Sequence, residues 1–165
     1  MGWTGSPELT SYNCPTDYTA LAGVPNTANN TNSSVQSPTT IQTEMKNLPP
    51  HSGLYFVIDI FKIDSWAVPT PTTNNTNTLI RLTPLTLTIS VAFLNNVNQR
   101  VNLNTYAVKL NNDFGGNVCG GPANDMIWTL PVDIVDHSAS NLIISISAPD
   151  KGIFVRDLEV YLANC

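Results

Sequence analysis

The chain reads as an all-β domain, an antiparallel β-sandwich of jelly-roll type with about eight strands. Three observations predict this. Several segments alternate apolar and polar residues with a period of two, and none carries the 3.6-residue period of an amphipathic helix. Only 12% of the residues are charged, about half the usual share, and 20 Asn with 31 Ser plus Thr supply the polar surface instead. Such side chains hydrogen-bond nearby backbone and disfavour helix interiors. Clusters of Asn, Asp and Gly separate the alternating segments as turns do.

Taken in order, residues 1–40 are rich in Asn, Thr, Ser, Pro and Gly without an apolar period, which predicts an extended polar N-terminal arm packed against a sandwich over 41–165. A short strand is expected over 39–45. Residues 54–63 (Leu-Tyr-Phe-Val-Ile-Asp-Ile-Phe-Lys-Ile) are apolar on both faces except at Asp59 and Lys62, as in a strand covered on two sides. A polar loop over 69–78 leads to a short strand over 78–82. Residues 85–93 give the cleanest alternation, with Leu85, Leu87, Ile89, Val91 and Phe93 on one face. A strand over 101–110 runs into the turn cluster Asn111-Asn112-Asp113-Phe114-Gly115-Gly116. Then Met126, Trp128, Leu130, Val132 and Ile134 alternate, followed by Leu142, Ile144 and Ile146, and by Leu158, Val160 and Leu162. Pro131, with no N–H to donate, marks its strand as an edge or a bulge.

At 165 residues this is one domain, long enough to bury roughly 70% of its unfolded surface. The net charge of -5, with four Lys and three Arg dispersed, offers no patch for a phosphate backbone, so nucleic acid is not an expected partner. No apolar run approaches the length of a membrane span, so no membrane insertion is expected.

Cys14, Cys119 and Cys165 are too widely spaced for a CxxC redox or zinc motif. They allow one disulfide and one remaining cysteine, which either pairs with another chain or sits buried as a small hydrophobe. A nucleophile needs a base beside it, and the chain has two histidines, His51 and His137, and no GxSxG elbow. Both histidines fall in loops, where bonding to nearby backbone is their common use. No enzyme and no cofactor are expected. Asp64, Asp125, Asp133, Asp136 and Asp157 lie near strand ends, where sandwich loops gather calcium ligands, but no DxDxDG-type run is present and the reading is turn formation, with no metal. Asn29, Asn32 and Asn74 head N-glycosylation sequons in polar loops. Trp66, following Asp64-Ser65 beyond a strand, is the residue placed to stack on a sugar ring.

Several segments, in order and spacing, resemble a repeated domain of large ciliate surface proteins that neighbours cysteine-rich, epidermal-growth-factor-like repeats. They are Gly2-Trp3; Cys14; Leu21-Ala22-Gly23; Leu48-Pro49-Pro50-His51-Ser52-Gly53-Leu54; Lys62-Ile63-Asp64-Ser65-Trp66; Cys119-Gly120; Asp125; His137 before Leu142; and Arg156-Asp157 leading to Tyr161 and Cys165. The resemblance implies an extracellular β-sandwich. It also implies a depleted cation site, because Ala67 stands where the family pattern is acidic and Lys151-Gly152-Ile153-Phe154 replaces its Glu-Ser-Trp-Gly.

The expectation is therefore a non-enzymatic extracellular domain, a subunit of a cell-surface coat or filament that packs against copies of itself, its N-terminal arm adding a strand to a neighbour's sheet. The alternative is a carbohydrate-binding or adhesion module that meets glycans through Asp64 and Trp66.

Overall fold

A computed structural model describes residues 2–6, 9–13, 20–24, 39–63, 85–110, 119, 125–149 and 152–163. Within them run the strands β1 (Trp3–Ser6), β2 (Thr10–Asn13), β3 (Ala20–Val24), β4 (Thr39–Lys46), β5 (Gly53–Lys62), β6 (Leu85–Leu94), β7 (Arg100–Leu110), β8 (Met126–Val135), β9 (Asn141–Ala148) and β10 (Ile153–Ala163). Two five-stranded sheets result, a first in the order β1-β4-β9-β6-β7 and a second in the order β2-β3-β10-β5-β8. Their pairings are antiparallel. The fold is thus the antiparallel sandwich that the period-two segments predict, with ten described strands rather than eight.

The alternation decides which side chains meet. Ile41 and Met45 from β4, Leu87, Ile89 and Val91 from β6, and Leu142, Ile144 and Ile146 from β9 face the second sheet. Leu54, Phe56, Ile58 and Ile60 from β5, Val132 and Ile134 from β8, and Ile153 and Val155 from β10 face them in return. Burying each such side chain contributes about 1.5–3 kcal/mol. Leu158, Val160 and Leu162 pack partly buried at the margin of this core.

Three short strands come from the stretch read as an arm. β1 pairs with β4, and β2 and β3 form a hairpin that joins β10 through β3. These strands are four or five residues long and rich in small and polar residues, so although Trp3 packs against the main core and Val24 is buried, no apolar period marks them in the sequence. Gly23 makes one approach possible: a Cβ there would lie 2.1 Å from the carbonyl oxygen of Ile153 and 2.6 Å from Phe154. Pro131 lies exposed on β8, which ends its sheet and pairs with β5, as its missing N–H predicts. The strand expected over 78–82 lies outside the described residues.

β5 explains its own apolar sequence in two halves. Toward its C-terminal end the outward side chain of Phe61 is buried with Phe154, Ile63 and Cys119 in a second, smaller core. Toward its N-terminal end Tyr55, Val57 and Asp59 point outward and are only half-buried. The strand is therefore covered on two faces along one half of its length and open on one face along the other.

Candidate functional site

The open half of the second sheet's outer face brings two tyrosines and several charged side chains together. Register sets Tyr161 of β10, Tyr55 of β5 and Asp133 of β8 in one row across the sheet. The next row is Glu159, Val57 and Pro131, and the one after it Arg156, Asp59 and Thr129. The tyrosine rings lie 5.8 Å apart at 40°, and Tyr161 is 52% exposed although large and aromatic. Its hydroxyl donates to the Glu159 carboxylate, and that bond raises its pKa above the ordinary value of 10, with the negative charge of Glu159 acting in the same direction. Tyr106 of β7 donates its hydroxyl to the backbone oxygen of Asp133 at 3.3 Å and accepts from Asn104 at 2.7 Å, so the edge of β8 is held to the opposite sheet.

Beyond the tyrosines the face is closed by a charged seam. Arg156 Nη2 lies 3.1 Å from Asp59, its Nε 2.9 Å from Asp157, and its guanidinium stacks 5.0 Å from the centre of Phe61. Thr129 donates to the other Asp59 oxygen at 2.6 Å. This seam separates the small core around Phe61 from the open platform. A bulge in β10, where Asp157 adopts a φ of 47°, sets two residues opposite one of β5.

The first sheet's outer face is different in kind. Its hydroxyl and amide side chains bond to one another: Thr40 to Ser147 at 3.1 Å, Ser145 to Gln42 at 3.1 Å, and Arg100 to both Ser145 and Gln42.

At one end of the sandwich a cleft of about 700 Å³ lies between the β6–β7 turn and the β8–β9 loop. Asn95 staples the turn, its Oδ1 accepting from the N–H groups of Val97 and Gln99. Asn141 clasps Leu94, accepting from its N–H at 2.6 Å and donating to its carbonyl at 2.9 Å. Behind this wall His51 and His137 are buried, 7% and 1% exposed, with their rings stacked 4.9 Å apart and the Phe93 ring edge-on to His137 at 5.9 Å. Burial first, then the charge of His51, lowers the pKa of His137 from 6.5, while its bond to Asn141 acts the other way.

Of the residues singled out in the sequence, Asp64, Trp66, Cys14, Cys165, Asn29, Asn32 and Asn74 lie outside the described residues. Cys119 is buried and disulfide-bonded. Asp125 is buried and accepts the Cys119 N–H at 2.7 Å, a fastening of the small core. Asp133, Asp136 and Asp157 stand apart, and among the described residues no group of three or more His, Cys, Asp or Glu is placed to hold a metal. Trp3 and Trp128 pack against the main core. The tyrosine platform was missed because Tyr55 sits in a run that reads as wholly buried, and because Tyr161 joins it only through cross-strand register. The available signal was Glu159-x-Tyr161, polar and aromatic on the face opposite Leu158, Val160 and Leu162.

No protein-family model matches the chain, and no curated protein sequence matches it. Among solved structures it is similar to a non-crystalline cellulose specific carbohydrate-binding module, CBM28, at 14% identity and a TM-score of 0.52, over 98% of this chain and 89% of that one. It is also similar to the carbohydrate-binding module TmCBM61 in complex with β-1,4-galactotriose, at 9% identity and a TM-score of 0.50, over 98% and 87%. At these identities the likeness shows a shared β-sandwich fold.

Proposed function

We propose that the chain is a carbohydrate-binding module that holds a glycan on the open half of the second sheet's outer face. The observation that carries this is the pair of the half-buried Tyr55 and the exposed Tyr161, its rings 5.8 Å apart, in one row with Asp133 and next to Glu159. An aromatic ring offers an apolar surface matching the C–H face of a pyranose, and carboxylates accept the hydroxyl hydrogens at its rim. The sandwich likeness to two carbohydrate-binding modules supports the reading at the level of scaffold. This moves the contacts from Asp64 and Trp66 to Tyr55, Tyr161, Asp133 and Glu159, and assigns the carboxylates to binding rather than catalysis. The reading sets the domain outside the cell, where the disulfide of Cys119 persists, in keeping with the ciliate surface domains it resembles.

Assembly with copies of itself rested on the N-terminal arm adding a strand to a neighbour's sheet, and β1, β2 and β3 are paired within their own chain. A glycan array followed by calorimetry tests the proposal. Saturable binding of a neutral oligosaccharide, lost in the Tyr55→Ala/Tyr161→Ala double variant with its circular dichroism unchanged, is expected. A wild-type protein that binds nothing on an array of neutral, amino and acidic glycans overturns it, and ordered polymers under the electron microscope would return the coat subunit to first place.

A further inference from the structure

His51 and His137 stand in series between two backbone carbonyls. His51 Nδ1 lies 2.6 Å from the oxygen of Pro49, His51 Nε2 lies 2.7 Å from His137 Nδ1, and His137 Nε2 lies 3.1 Å from the oxygen of Asn141. A carbonyl oxygen only accepts, so each outer nitrogen must carry a hydrogen, and the inner contact needs one hydrogen between its two nitrogens. Three hydrogens on two rings is one more than two neutral imidazoles possess. With two, one contact of the series sets lone pair against lone pair. With four, the inner contact sets N–H against N–H.

We infer that the His51–His137 pair is a binding site for one excess proton shared between the rings, and that this proton latches the β4–β5 loop to the β8–β9 loop behind the cleft. The two loops are also joined by the bond from Leu48 N–H to the Ser140 oxygen at 2.9 Å, so the latch adds to a permanent link and its release loosens the wall without freeing it. The Asn141 residue that receives the last hydrogen also clasps Leu94 across the cleft, which carries the state of the pair to the β6–β7 turn.

Few other charges bear on the pair. The β4–β5 loop brings Pro49 and Pro50, and β6 brings the ring of Phe93. The β6–β7 turn brings Asn95, Asn96 and Asn98, and the β8–β9 loop brings the exposed carboxylate of Asp136. Lys46, at the end of β4, is paired with Glu44 at 3.2 Å. The proton is thus held by the two carbonyls and the partner ring against the cost of burial, and a further proton is opposed by the charge already present as well.

Burial and the charge of His51 hold His137 below its ordinary value, so as pH falls the unfolded chain takes up protons that the folded pair resists, and stability falls on the acid side.

The chain contains two histidines, so an imidazole ¹⁵N spectrum of the intact protein reads the pair without interference. Two steps are expected, separated by at least about one pH unit, with both rings shifting in each. In His51→Gln the remaining ring is expected to titrate in one step, and the acid fall in melting temperature to shrink. Two independent single-site curves, each ring shifting in one step only, overturn the inference. If the variant does not fold, the wild-type spectrum decides alone.

Discussion

Tyr161 gives its hydroxyl hydrogen to Glu159, two residues earlier on the same outward face of β10. The bond aims one ring of the tyrosine platform and joins it to a carboxylate, so an aromatic surface and a hydrogen-bond acceptor reach a ligand as one unit.

The pair has its own titration. Because Glu159 accepts from the neutral phenol and repels the phenolate, the folded pKa of Tyr161 is raised above 10. Stability from this contact is present below the unfolded value and is lost as pH rises through the higher folded one. Ultraviolet difference titration should show a late tyrosine that returns toward 10 in Glu159→Gln. A wild-type protein without a late component would contradict the contact.

Each of Tyr55→Ala and Tyr161→Ala should weaken glycan binding about tenfold, the effect of one lost aromatic stacking contact. Calorimetry against the best array ligand reads this, and unchanged melting temperatures would locate the loss in the contact rather than the fold. Arg156→Lys should affect binding less, because Arg156 is engaged with Asp59 and Asp157.

Gly23→Ala tests the join of β3 to β10 in the second sheet. The added Cβ would meet backbone at 2.1 Å, which cannot be relieved by turning a side chain. Destabilisation of about 3 kcal/mol, measured by urea unfolding, is expected. A neutral result would mean that β3 and β10 stand farther apart.

Asp125→Ala removes the acceptor of the buried Cys119 N–H. The cost should be about 1–3 kcal/mol, and the Phe61, Ile63 and Phe154 cluster should become more open to solvent. Hydrogen exchange would register this as faster exchange at the C-terminal end of β5, while its N-terminal end keeps its protection.

The fold was legible wherever a strand buries one face. Leu87, Ile89 and Val91 announce their strand, and Pro131 announces an edge, because each residue's own chemistry forces the placement. β1, β2 and β3 were not legible, since they are short and their pairing with β4 and β10 leaves no side-chain period. The candidate site was hidden for a related reason. Tyr55 in isolation is one more apolar residue in a long run, and nothing local says that one half of that run packs outward against Cys119 and Phe154 while the other half is only half-buried. The histidines were recognised as loop residues bonding backbone, which they are, but His51 and His137 lie 86 positions apart and their meeting depends on both sheets.

The bulge in β10 settles a matter of phase. Arg156 and Tyr161 are an odd number of positions apart, which in an uninterrupted strand would send them to opposite sides. Doubling up opposite β5 between Arg156 and Glu159 resets the count, so the strand behaves as two half-strands spliced at Asp157. Removing Asp157 would straighten the splice and leave every downstream side chain on its present side. Removing a residue between the splice and Tyr161, such as Val160, would turn that ring into the core. The splice is thus the one point in β10 where the chain tolerates a change of length without exchanging its inside for its outside.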